Sequence, residues 1–597
     1  MTVADYIIDF IVKKGVDSIF MITGGQAMFL NDAVYRNKQI RPICMHHEQA
    51  AGMSAEAYAR FTNKIGVALV TAGPGAVNVM NGVVGAWVDS APLMVLSGQS
   101  PLANVQYEEK TKIRQYGVQG INIKPLVQSV TKYFVTIDDP QKVPEYLHKA
   151  YYLAKEGRPG PVWLDVPLNL QGKEISGSPR KSFSFLNQHK NGDLSDKKVK
   201  DALNLLSKAK RPLFLVGQGV RISGGIEEFY QVIEKIEIPV LTSRLGIDLL
   251  PSDHKLYVGR PGTYGERAAN FAIQNSDLII AVGCRLATSL TGHTPSDFGR
   301  NAKKVVVDID KKELMKPDLG ISVRINSDAK EFFLSLLSQY STKEQKDYSR
   351  WIAACKNWRK KYPVVLSSYK KEKPVNSYYF VDRLTRFASE NDVVLVDTGG
   401  CFHVASQAWK IKPGQRFITT GGISTMGYWP AGIGVCLANK RKRTIVITGD
   451  GSLQMNIQEF STIRQNKLPV KVFVFNNNGY SLIRLTQRNF MEGRLIGEGP
   501  KTGVWCPNLM DVAKTYEIKG IKISNVNEVD KKIQEALAFN GPVLCEVMTP
   551  EWQLLIPRTA SEKKADGTMV SRPYEDMFPF LDKEELFENM LAKPKDR

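Results

Sequence analysis

The stretch GDGSLQMNIQEFSTIRQNKLPVKVFVFNNN, residues 449–478, decides the predicted fold. An apolar strand pattern, Thr444–Thr448, runs straight into it, a helical pattern follows, and a second strand pattern, Val470–Phe475, ends at three asparagines. Two parallel strands joined by one helix end at the same edge of a sheet. We therefore expect Asp450 and Asn477 to meet beyond the carboxyl ends of the strands, where open α/β sheets bind ligands.

Asp450 and Asn477 offer a carboxylate and an amide oxygen beside glycine-rich backbone. Hard oxygen ligands of this kind suit Mg²⁺, and Mg²⁺ in such a position can hold a diphosphate. The GDG tripeptide alone is compatible with an ordinary polar turn. Because both ends of the unit close a strand at this spacing, the sequence indicates a metal–diphosphate site.

The composition is typical of a soluble globular protein, and the length of 597 residues is enough for about three domains. No apolar run is long enough to span a bilayer and no signal peptide is found, so we expect no membrane partner. Seven scattered cysteines without a CxxC pair predict a cytoplasmic protein that has neither disulfides nor structural zinc.

The net charge of +20 is compatible with nucleic-acid binding, because lysine and arginine patches bind phosphate backbones. The lysines are, however, spread along the chain and concentrated in apparent linkers such as 356–373, and no zinc finger or RNA-binding aromatic signature is found. We therefore expect no nucleic-acid partner.

Short apolar strand patterns alternate with helical patterns, which predicts an α/β fold of parallel sheets covered by helices. The first and third blocks share one rhythm and the middle block differs, so we predict three doubly wound parallel-sheet domains whose outer two are a duplicated pair. The predicted boundaries are a first domain at 1–170, a linker at 171–197, a central domain at 198–342, a linker at 343–373, a third domain at 374–550 and a tail at 551–597.

Several motifs resemble the acetohydroxyacid (acetolactate) synthase group of thiamine-diphosphate enzymes, over about residues 4–547. They are MHHEQAAGMSAEAYAR (45–60), GVQGINIKPLVQSVTK (117–132), GGISTMGYWPAGIG (421–434) and the GDG unit. The resemblance implies pyrimidine-binding, central Rossmann-like and diphosphate-binding domains in chain order. It also implies a homodimer or homotetramer, because in the family the first domain of one chain acts on cofactor held by the third domain of another.

The resemblance gives roles to individual residues. Glu48 is the expected proton relay beside the aminopyrimidine ring. Gln119 matches a glutamine that hydrogen-bonds the reaction intermediate, although Val118 replaces the family's phenylalanine, and Gly25 lies in the same expected catalytic pocket.

The resemblance also implies contacts with thiamine diphosphate and Mg²⁺. Met426 matches the bulky residue beneath the thiazolium ring, and the Ser424 carbonyl would receive the 4′-amino group. The implied metal ligands are Asp450, Asn477 and the backbone oxygen of Gly479. Further cofactor-binding candidates lie in the GDG turn and in TAGPGAVN (71–78), namely Gly449, Gly451, Ser452, Gly73 and Asn78.

The middle block has no clean GxGxxG, yet VGQGV (216–220), RPGTYGERAANFA (260–272) and GCRLATSLTG (283–292) resemble the family's flavin-binding domain. FAD would have a structural role, since decarboxylation and carboligation need no redox step. A vestigial domain that binds nothing, as in pyruvate decarboxylases, is the alternative. The candidate FAD contacts are Gly217, Gly219, Arg285, Asp308 and Asp328.

Two positions depart from the acetolactate-forming enzymes. The arginine that recognises the carboxylate of the second 2-oxo acid is Ser289 here, and the acceptor-pocket tryptophan is Thr486. Losing such a charge-assisted hydrogen bond costs roughly 1.5–3 kcal/mol. We therefore hypothesise that a 2-oxo acid, pyruvate, is decarboxylated and its two-carbon unit is transferred to a carbonyl acceptor other than a second pyruvate, such as a keto-sugar nucleotide.

Alternatives to this function stay open. They are acetolactate synthase itself and a C–C hydrolase of a cyclic diketone. A non-enzymatic subunit is disfavoured because Glu48, Asp450 and Asn477 are all present. The tail, 551–597, either closes over the site and excludes water or is merely structural.

Overall fold

The computed structural model describes residues 1–175, 194–341, 346–563, 566 and 568–591. These residues contain three six-stranded parallel sheets and two small antiparallel pairs of strands. Helices connect the parallel strands, which confirms the predicted α/β class. No helix of the described part of the chain is both long enough and apolar enough to cross a membrane.

The first sheet has the strand order β2-β1-β3-β4-β6-β5. Its central strands are buried along their whole length, as expected where helices cover both faces of a parallel sheet. The strands are β1 (Ser18–Met21), β2 (Arg41–Cys44), β3 (Gly66–Val70), β4 (Leu93–Gln99), β5 (Tyr133–Thr136) and β6 (Val162–Pro167). The helices are α1 (Val3–Lys13), α2 (Met28–Arg36), α3 (Glu48–Thr62), α4 (Pro74–Asn78), α5 (Met80–Asp89), α6 (Leu102–Thr111), α7 (Lys124–Val127), α8 (Val143–Lys155) and α9 (Leu168–Gln171).

The central sheet has a different order, β12-β11-β10-β7-β8-β9. Its strands are β7 (Pro212–Val216), β8 (Val240–Thr242), β9 (Tyr257–Gly259), β10 (Leu278–Val282), β11 (Lys303–Asp308) and β12 (Ile321–Asn326). The helices of this part of the chain are α10 (Asp196–Lys208), α11 (Gly219–Ile222), α12 (Ile226–Ile236), α13 (Arg267–Asn275), α14 (Thr288–Thr291), α15 (Ala329–Gln339) and α16 (Ser349–Lys361).

The third sheet repeats the order of the first, β14-β13-β15-β16-β18-β17, which confirms the predicted duplicated pair. Its strands are β13 (Val393–Val396), β14 (Arg416–Thr419), β15 (Thr444–Gly449), β16 (Val470–Asn476), β17 (Lys519–Ile523) and β18 (Val543–Met548). The helices are α17 (Ser377–Phe387), α18 (Gly400–Ala408), α19 (Ala431–Ala438), α20 (Asp450–Leu453), α21 (Glu459–Gln465), α22 (Ser481–Phe490), α23 (Leu509–Thr515) and α24 (Val529–Ala538).

The tail contains more strand than its sequence indicated. β19 (Arg558–Thr559) pairs with β22 (Met577–Phe578), β20 (Ser561–Lys563) pairs with β21 (Met569–Ser571), and helix α25 (Lys583–Glu588) follows. Glu575 forms a two-pronged ion pair with Arg300, at 2.6 and 2.9 Å, and the Tyr574 hydroxyl donates to the Leu290 carbonyl at 2.6 Å. The tail is thus held against the central domain, which favours its structural interpretation.

The described residues divide into two compact units. One unit contains 1–175, 392–402 and 418–551, and the other contains the remaining described residues. Most of the predicted linker 171–197, and residues 343–345 of the second linker, lie outside the described residues. In the rest of the second linker, α16 buries Trp351, Cys355 and Trp358.

The strand order of each large sheet reverses between two of its inner strands. The reversal lies between β1 and β3, between β7 and β10, and between β13 and β15. Turns that leave the carboxyl ends of these strand pairs border a crevice, which is where doubly wound sheets bind ligands. Gly25, Gly73, Gly217, Arg285 and Asp450 are among the candidate residues that lie in these turns.

Candidate active site

The GDG turn lies at the reversal point of the third sheet. β15 and β16 are parallel neighbours, and Gly449 is the register partner of Phe475, so their terminal turns begin at the same level. Asp450 Oδ2 accepts the backbone N–H of Gly479 at 2.8 Å, and Oδ1 accepts that of Gly451 at 3.0 Å. Burial raises the pKa of Asp450 to about 6, although these two N–H groups oppose the rise. The structure therefore brings Asp450 and Gly479 together.

Asn477 supplies an unused oxygen at this edge. Its Oδ1 is buried and has no hydrogen-bond partner among the described residues. An unpaired buried amide oxygen is costly unless a ligand or water satisfies it. The described residues hold no cluster of three or more His, Cys, Asp or Glu side chains suited to a metal. The donor set here is instead one carboxylate, one amide and backbone, which fits Mg²⁺.

Glycines shape the GDG turn for two different reasons. A Cβ on Gly451 would lie 2.2 Å from the Tyr480 ring, so close packing requires glycine there. Gly449 has open space beside it, which leaves its backbone accessible to a ligand. The Ser452 hydroxyl is already engaged, because it donates to Asp397 at 2.7 Å and accepts the Gly427 N–H at 2.7 Å. Only the backbone of Ser452 is available to a diphosphate.

Ser424 and Met426 lie in a loop between β14 and α19. Ser424 is exposed and adopts the left-handed conformation, with φ of 46°. No described group donates a hydrogen bond to its carbonyl, so that oxygen is free to accept one from a ligand. Met426 is half-buried.

Two buried carboxylates, Asp397 and Asp89, hold the loop that carries Ser424 and Met426. Neither was predicted from the sequence. Asp397 follows β13 and is fully buried, and Asp89 ends α5 with 5% exposure. Asp397 was detectable, because VLVDTGG (394–400) ends a predicted strand in the same way as the GDG unit does. Asp89 carries no comparable signal, since the backbone N–H groups that it accepts lie more than 300 positions away.

In the first domain, Glu48 is the first residue of α3, as the sequence predicts. The side chain of His47 caps the helix by accepting the Gln49 N–H at 3.1 Å. Glu48 Oε2 accepts the side-chain N–H of Asn78 at 3.0 Å. A Cβ on Gly75 would lie 3.3 Å from Glu48 Oε1, so a larger residue there would crowd the carboxylate. Two predicted site residues, Glu48 and Asn78, are therefore in contact.

Gly25, Gly73 and Gln119 lie near the reversal point of the first sheet. Gly73 has a φ of 62°, and a Cβ there would lie 2.5 Å from the Gln119 carbonyl. Gln26 donates to the Val118 carbonyl at 3.1 Å, which joins the turn after β1 to the segment that carries Gln119. Gly25 has open space beside it and the Gln119 side chain is exposed. The turns therefore form an accessible, uncharged rim.

Glu459 links the two outer domains within the same unit and was also missed. It is buried, and its carboxylate accepts the His46 N–H at 3.1 Å and the Thr462 hydroxyl at 2.7 Å. Burial raises the pKa of Glu459 to about 7. The start of α21, which follows the GDG turn, thus fixes the backbone just before Glu48.

The candidate FAD contacts lie at the carboxyl ends of strands in the central sheet. Local packing or hydrogen bonding accounts for several of these residues. A Cβ on Gly217 would lie 2.4 Å from Cys284 Cα, and one on Gly219 would lie 2.7 Å from Gly283 Cα, so close packing of the turns after β7 and β10 requires both glycines. Arg285, in the second of these turns, has a φ of 58°.

The two acidic FAD candidates make local hydrogen bonds. Asp328 caps α15 through the Lys330 N–H at 2.8 Å, and Asp308 accepts the Asp310 N–H at 2.9 Å. Gln218, between the two glycines, has a buried Oε1 without a partner among the described residues. One polar atom at this reversal point is thus left for a ligand.

The two residues that differ from the family pattern, Ser289 and Thr486, are both exposed. Ser289 lies in α14, and its carbonyl accepts the Thr263 N–H at 2.9 Å. Thr486 lies in α22, and its hydroxyl donates to the Leu482 carbonyl at 2.8 Å within the helix. Neither side chain supplies a cation or a large apolar surface.

Comparison with protein-family models finds three consecutive matches. Residues 1–131 match the N-terminal TPP binding domain of thiamine pyrophosphate enzymes, 199–336 match the central domain, and 397–547 match the C-terminal TPP binding domain. The third match begins at Asp397 and contains the GDG turn.

Curated relatives match along nearly the whole chain. The probable acetolactate synthase large subunit of Methanocaldococcus jannaschii is 32% identical over 559 residues, 91% of each chain. The acetolactate synthase large subunit of Lactococcus lactis is 31% identical over 549 residues, 91% of this chain and 92% of the relative. The isozyme 1 large subunit of Escherichia coli is 28% identical over 549 residues, 92% of this chain and 93% of the relative. This chain therefore belongs to the acetolactate synthase family of thiamine-diphosphate enzymes.

Proposed function

We propose that this enzyme decarboxylates a 2-oxo acid, pyruvate in the first instance, and transfers the two-carbon unit to a carbonyl acceptor other than a second pyruvate. The observation that carries the proposal is the pair of exposed, neutral side chains, Ser289 and Thr486, at positions where the family pattern has arginine and tryptophan. When bound, thiamine diphosphate supplies the nucleophilic carbon and the electron sink for this chemistry.

Glu48 is the proposed proton carrier at the aminopyrimidine ring. Its place at the first position of α3 stabilises the carboxylate through the positive end of the helix dipole. The hydrogen bond from Asn78 fixes Oε2 and leaves Oε1 beside Gly75, where the lack of a side chain keeps access open. Glu48 can therefore accept and return a proton from a fixed position.

Asp450, Asn477 and the Gly479 carbonyl are the proposed Mg²⁺ ligands. The unpaired Asn477 Oδ1 supports this assignment, since a cation would satisfy it. The backbone of Gly449, Gly451 and Ser452 would face the diphosphate. A bound cation would also offset the burial that raises the pKa of Asp450.

We also propose that the central domain binds FAD in a structural role. The unpaired Oε1 of Gln218 at the reversal point between β7 and β10 supports a ligand there. Gly217, Gly219 and Arg285 belong to the two turns that border this crevice, whereas Asp308 and Asp328 already accept local N–H groups. A flavin absorption spectrum of the purified protein tests this part, and a colourless protein that gains no flavin on incubation with FAD would contradict it.

The proposed assembly is a homodimer or homotetramer in which Glu48 of one copy serves the metal site of another. The proposed compartment is the cytoplasm, and the seven cysteines, all of which are free, suit a reducing environment.

Acetolactate synthase is the second candidate, and the family comparisons favour it. One experiment separates the two functions. The protein is incubated with thiamine diphosphate, Mg²⁺ and pyruvate, alone and with an uncharged ketone or a nucleotide-linked keto-sugar, and CO2 and all products are quantified. We expect little acetolactate from pyruvate alone and a rise in CO2 release with a non-pyruvate acceptor.

Stoichiometric acetolactate from pyruvate alone, with no effect of the other acceptors, would establish the second candidate instead. Ring opening of a cyclic 1,2-diketone, run in parallel, would show the hydrolase activity that the sequence leaves open.

A further inference from the structure

The loop that carries Ser424 and Met426, residues 420–427, is held at its first end by the first domain. Asp89 Oδ2 accepts the Gly421 N–H at 2.7 Å, and Oδ1 accepts the Gly422 N–H at 2.8 Å. A Cβ on Gly422 would lie 1.8 Å from Val88 Cγ1, so the loop lies directly against the end of α5. Both oxygens of one buried carboxylate thus fix two successive peptide groups.

The other end of the 420–427 loop is held by Asp397 through Ser452. The Gly427 N–H donates to Ser452 Oγ at 2.7 Å, and that hydroxyl donates to Asp397 Oδ2 at 2.7 Å. The Tyr428 N–H donates to Asp397 Oδ1 at 3.0 Å. Asn456 donates to the Gly427 carbonyl at 2.7 Å. The peptide groups on both sides of Gly427 therefore have fixed partners.

Asp397 also joins the loop to the proposed metal turn. Ser452 lies two residues after Asp450 in α20, and Thr448, two residues before Asp450, donates its hydroxyl to Asp397 Oδ2 at 2.8 Å. Asp397 therefore contacts both flanks of the Asp450 turn and the end of the loop. Asp397 thus contributes to the separation between Asp450 and Met426.

Between its two fixed ends the loop is only lightly held. Among the described residues, no hydrogen bond is seen for the Ser424 carbonyl, and Thr425 makes only the long contacts of 3.3 Å to Thr420 and 3.2 Å to Asn81. A loop fixed at both ends and free in its middle can present a carbonyl and a side chain to a ligand without rearranging.

We infer that Asp89 and Asp397 are positioning residues that together set the place of the Ser424 carbonyl and the Met426 side chain relative to the Asp450 turn. The inference rests on the proposed function, in which Ser424 and Met426 would contact the rings of thiamine diphosphate and Asp450 would hold the Mg²⁺ that binds its diphosphate. The two carboxylates act through the loop and touch neither substrate nor cofactor.

Substitutions of the two carboxylates distinguish positioning from simple stabilisation. An amide at 89 keeps the shape but places its NH₂ group against a backbone N–H donor, which releases the first end of the loop. At 397 the hydroxyls of Thr448 and Ser452 could turn and accept from an amide, so alanine is used there to remove every acceptor. Asp165 is the matched control, because it is a buried carboxylate of the same unit that accepts Ser97 at 2.6 Å and Gln99 at 3.0 Å between two strands. Asp165→Ala should disturb packing without moving the loop.

Three measurements are compared for Asp89→Asn, Asp397→Ala and Asp165→Ala. They are the amide hydrogen exchange of residues 420–427 without cofactor, the dissociation constant of thiamine diphosphate with Mg²⁺, and the rate of deuterium exchange at C2 of bound thiamine diphosphate. We expect both loop variants to speed amide exchange and to slow C2 exchange about 10- to 100-fold, the size of a lost charge-assisted hydrogen bond. The Asp89→Asn variant should have a nearly normal dissociation constant for thiamine diphosphate, because the proposed Mg²⁺ ligands are unchanged.

A faster-exchanging loop with normal C2 exchange would overturn the inference, as would an equal loss in the Asp165→Ala control. If Asp397→Ala does not fold, Ser452→Ala removes the hydroxyl that joins Asp397 to Gly427 and should give the same pattern. If the wild-type protein binds no thiamine diphosphate, the proposed function fails. Amide exchange of the cofactor-free loop then still reports whether the two carboxylates hold it.

Discussion

The two outer sheets have the same strand order, yet the turns at their reversal points differ in chemistry. In the first sheet these turns, residues 22–26 and 71–75, contain no charged residue, and Gly25 faces open space. In the third sheet the corresponding turns carry the buried carboxylates of Asp397 and Asp450. The same strand order thus carries open, neutral turns in the first sheet and turns with buried carboxylates in the third. In the proposed function the two domains are complementary halves of one site.

Removing the Asp450 carboxylate from the third domain should have the largest effect. Asp450→Ala deletes a proposed metal ligand and the acceptor of the Gly479 N–H. We expect activity to fall by more than about 100-fold, beyond the loss typical of outer-shell metal contacts. Activity and Mg²⁺ binding by titration calorimetry check this. Wild-type protein treated with EDTA should recover on addition of Mg²⁺, whereas full activity of the variant would show that Asp450 is not a ligand.

Replacing Glu48, the proposed acid of the first domain, should slow the reaction without weakening cofactor binding. Glu48→Gln keeps the size of the side chain and its contact with Asn78 but cannot carry a proton. We expect kcat to fall about 10²- to 10⁴-fold, the usual range for a lost general acid–base group. Fluorescence titration of thiamine diphosphate gives the matched binding measurement. A normal kcat, or a kcat loss explained by weaker cofactor binding, would remove Glu48 from this role.

The sixth strand of each outer sheet carries a buried carboxylate, and the two carboxylates have different partners. Asp165 of β6 is buried among neutral partners, whereas Glu546 of β18 pairs with Lys522 at 2.9 Å. Burial raises the pKa of Asp165 from 3.8 to about 7. Between these values the folded state binds one more proton than the unfolded state, so the contribution of Asp165 to stability is complete below pH 3.8 and is lost as the pH rises through 7.

Asp165→Asn should therefore flatten the pH dependence of stability by about 2–3 kcal/mol between pH 5 and pH 7. Urea unfolding of both proteins at several pH values measures the difference. An identical slope for the variant and the wild type would show that Asp165 is ionised throughout this range.

Restoring the family residues at the acceptor positions should have the smallest effect. Ser289→Arg with Thr486→Trp supplies a cation and a large apolar surface at two exposed positions. We expect the fraction of released two-carbon units recovered as acetolactate to rise about tenfold, the lower value for one charge-assisted hydrogen bond. Product analysis with pyruvate alone measures it, with Ser289→Ala and Thr486→Ala as controls. An unchanged product ratio would place acceptor choice elsewhere.

The sequence predicted the parts of this molecule that local patterns encode. The strand–GDG–helix–strand unit is present, with the strands ending at Gly449 and Asn476 instead of Thr448 and Phe475, and Glu48 begins its helix as expected. Asp89 and Glu459 were not predictable, because each acts on backbone groups more than 300 positions away and only the folded chain shows the contact. Burial and tertiary hydrogen bonds, which decide what a carboxylate does, are absent from a one-dimensional pattern.

In the proposed assembly, the first domain of one copy and the third domain of another complete one active site. A hybrid dimer of one Glu48→Gln chain and one Asp450→Ala chain, isolated by two different affinity tags, tests it directly. Neither parent should be active, yet the hybrid contains one site with both native residues, so we expect about half of the wild-type activity per dimer. A hybrid as inactive as its parents would show that Glu48 and Asp450 act within the same chain and would contradict this account.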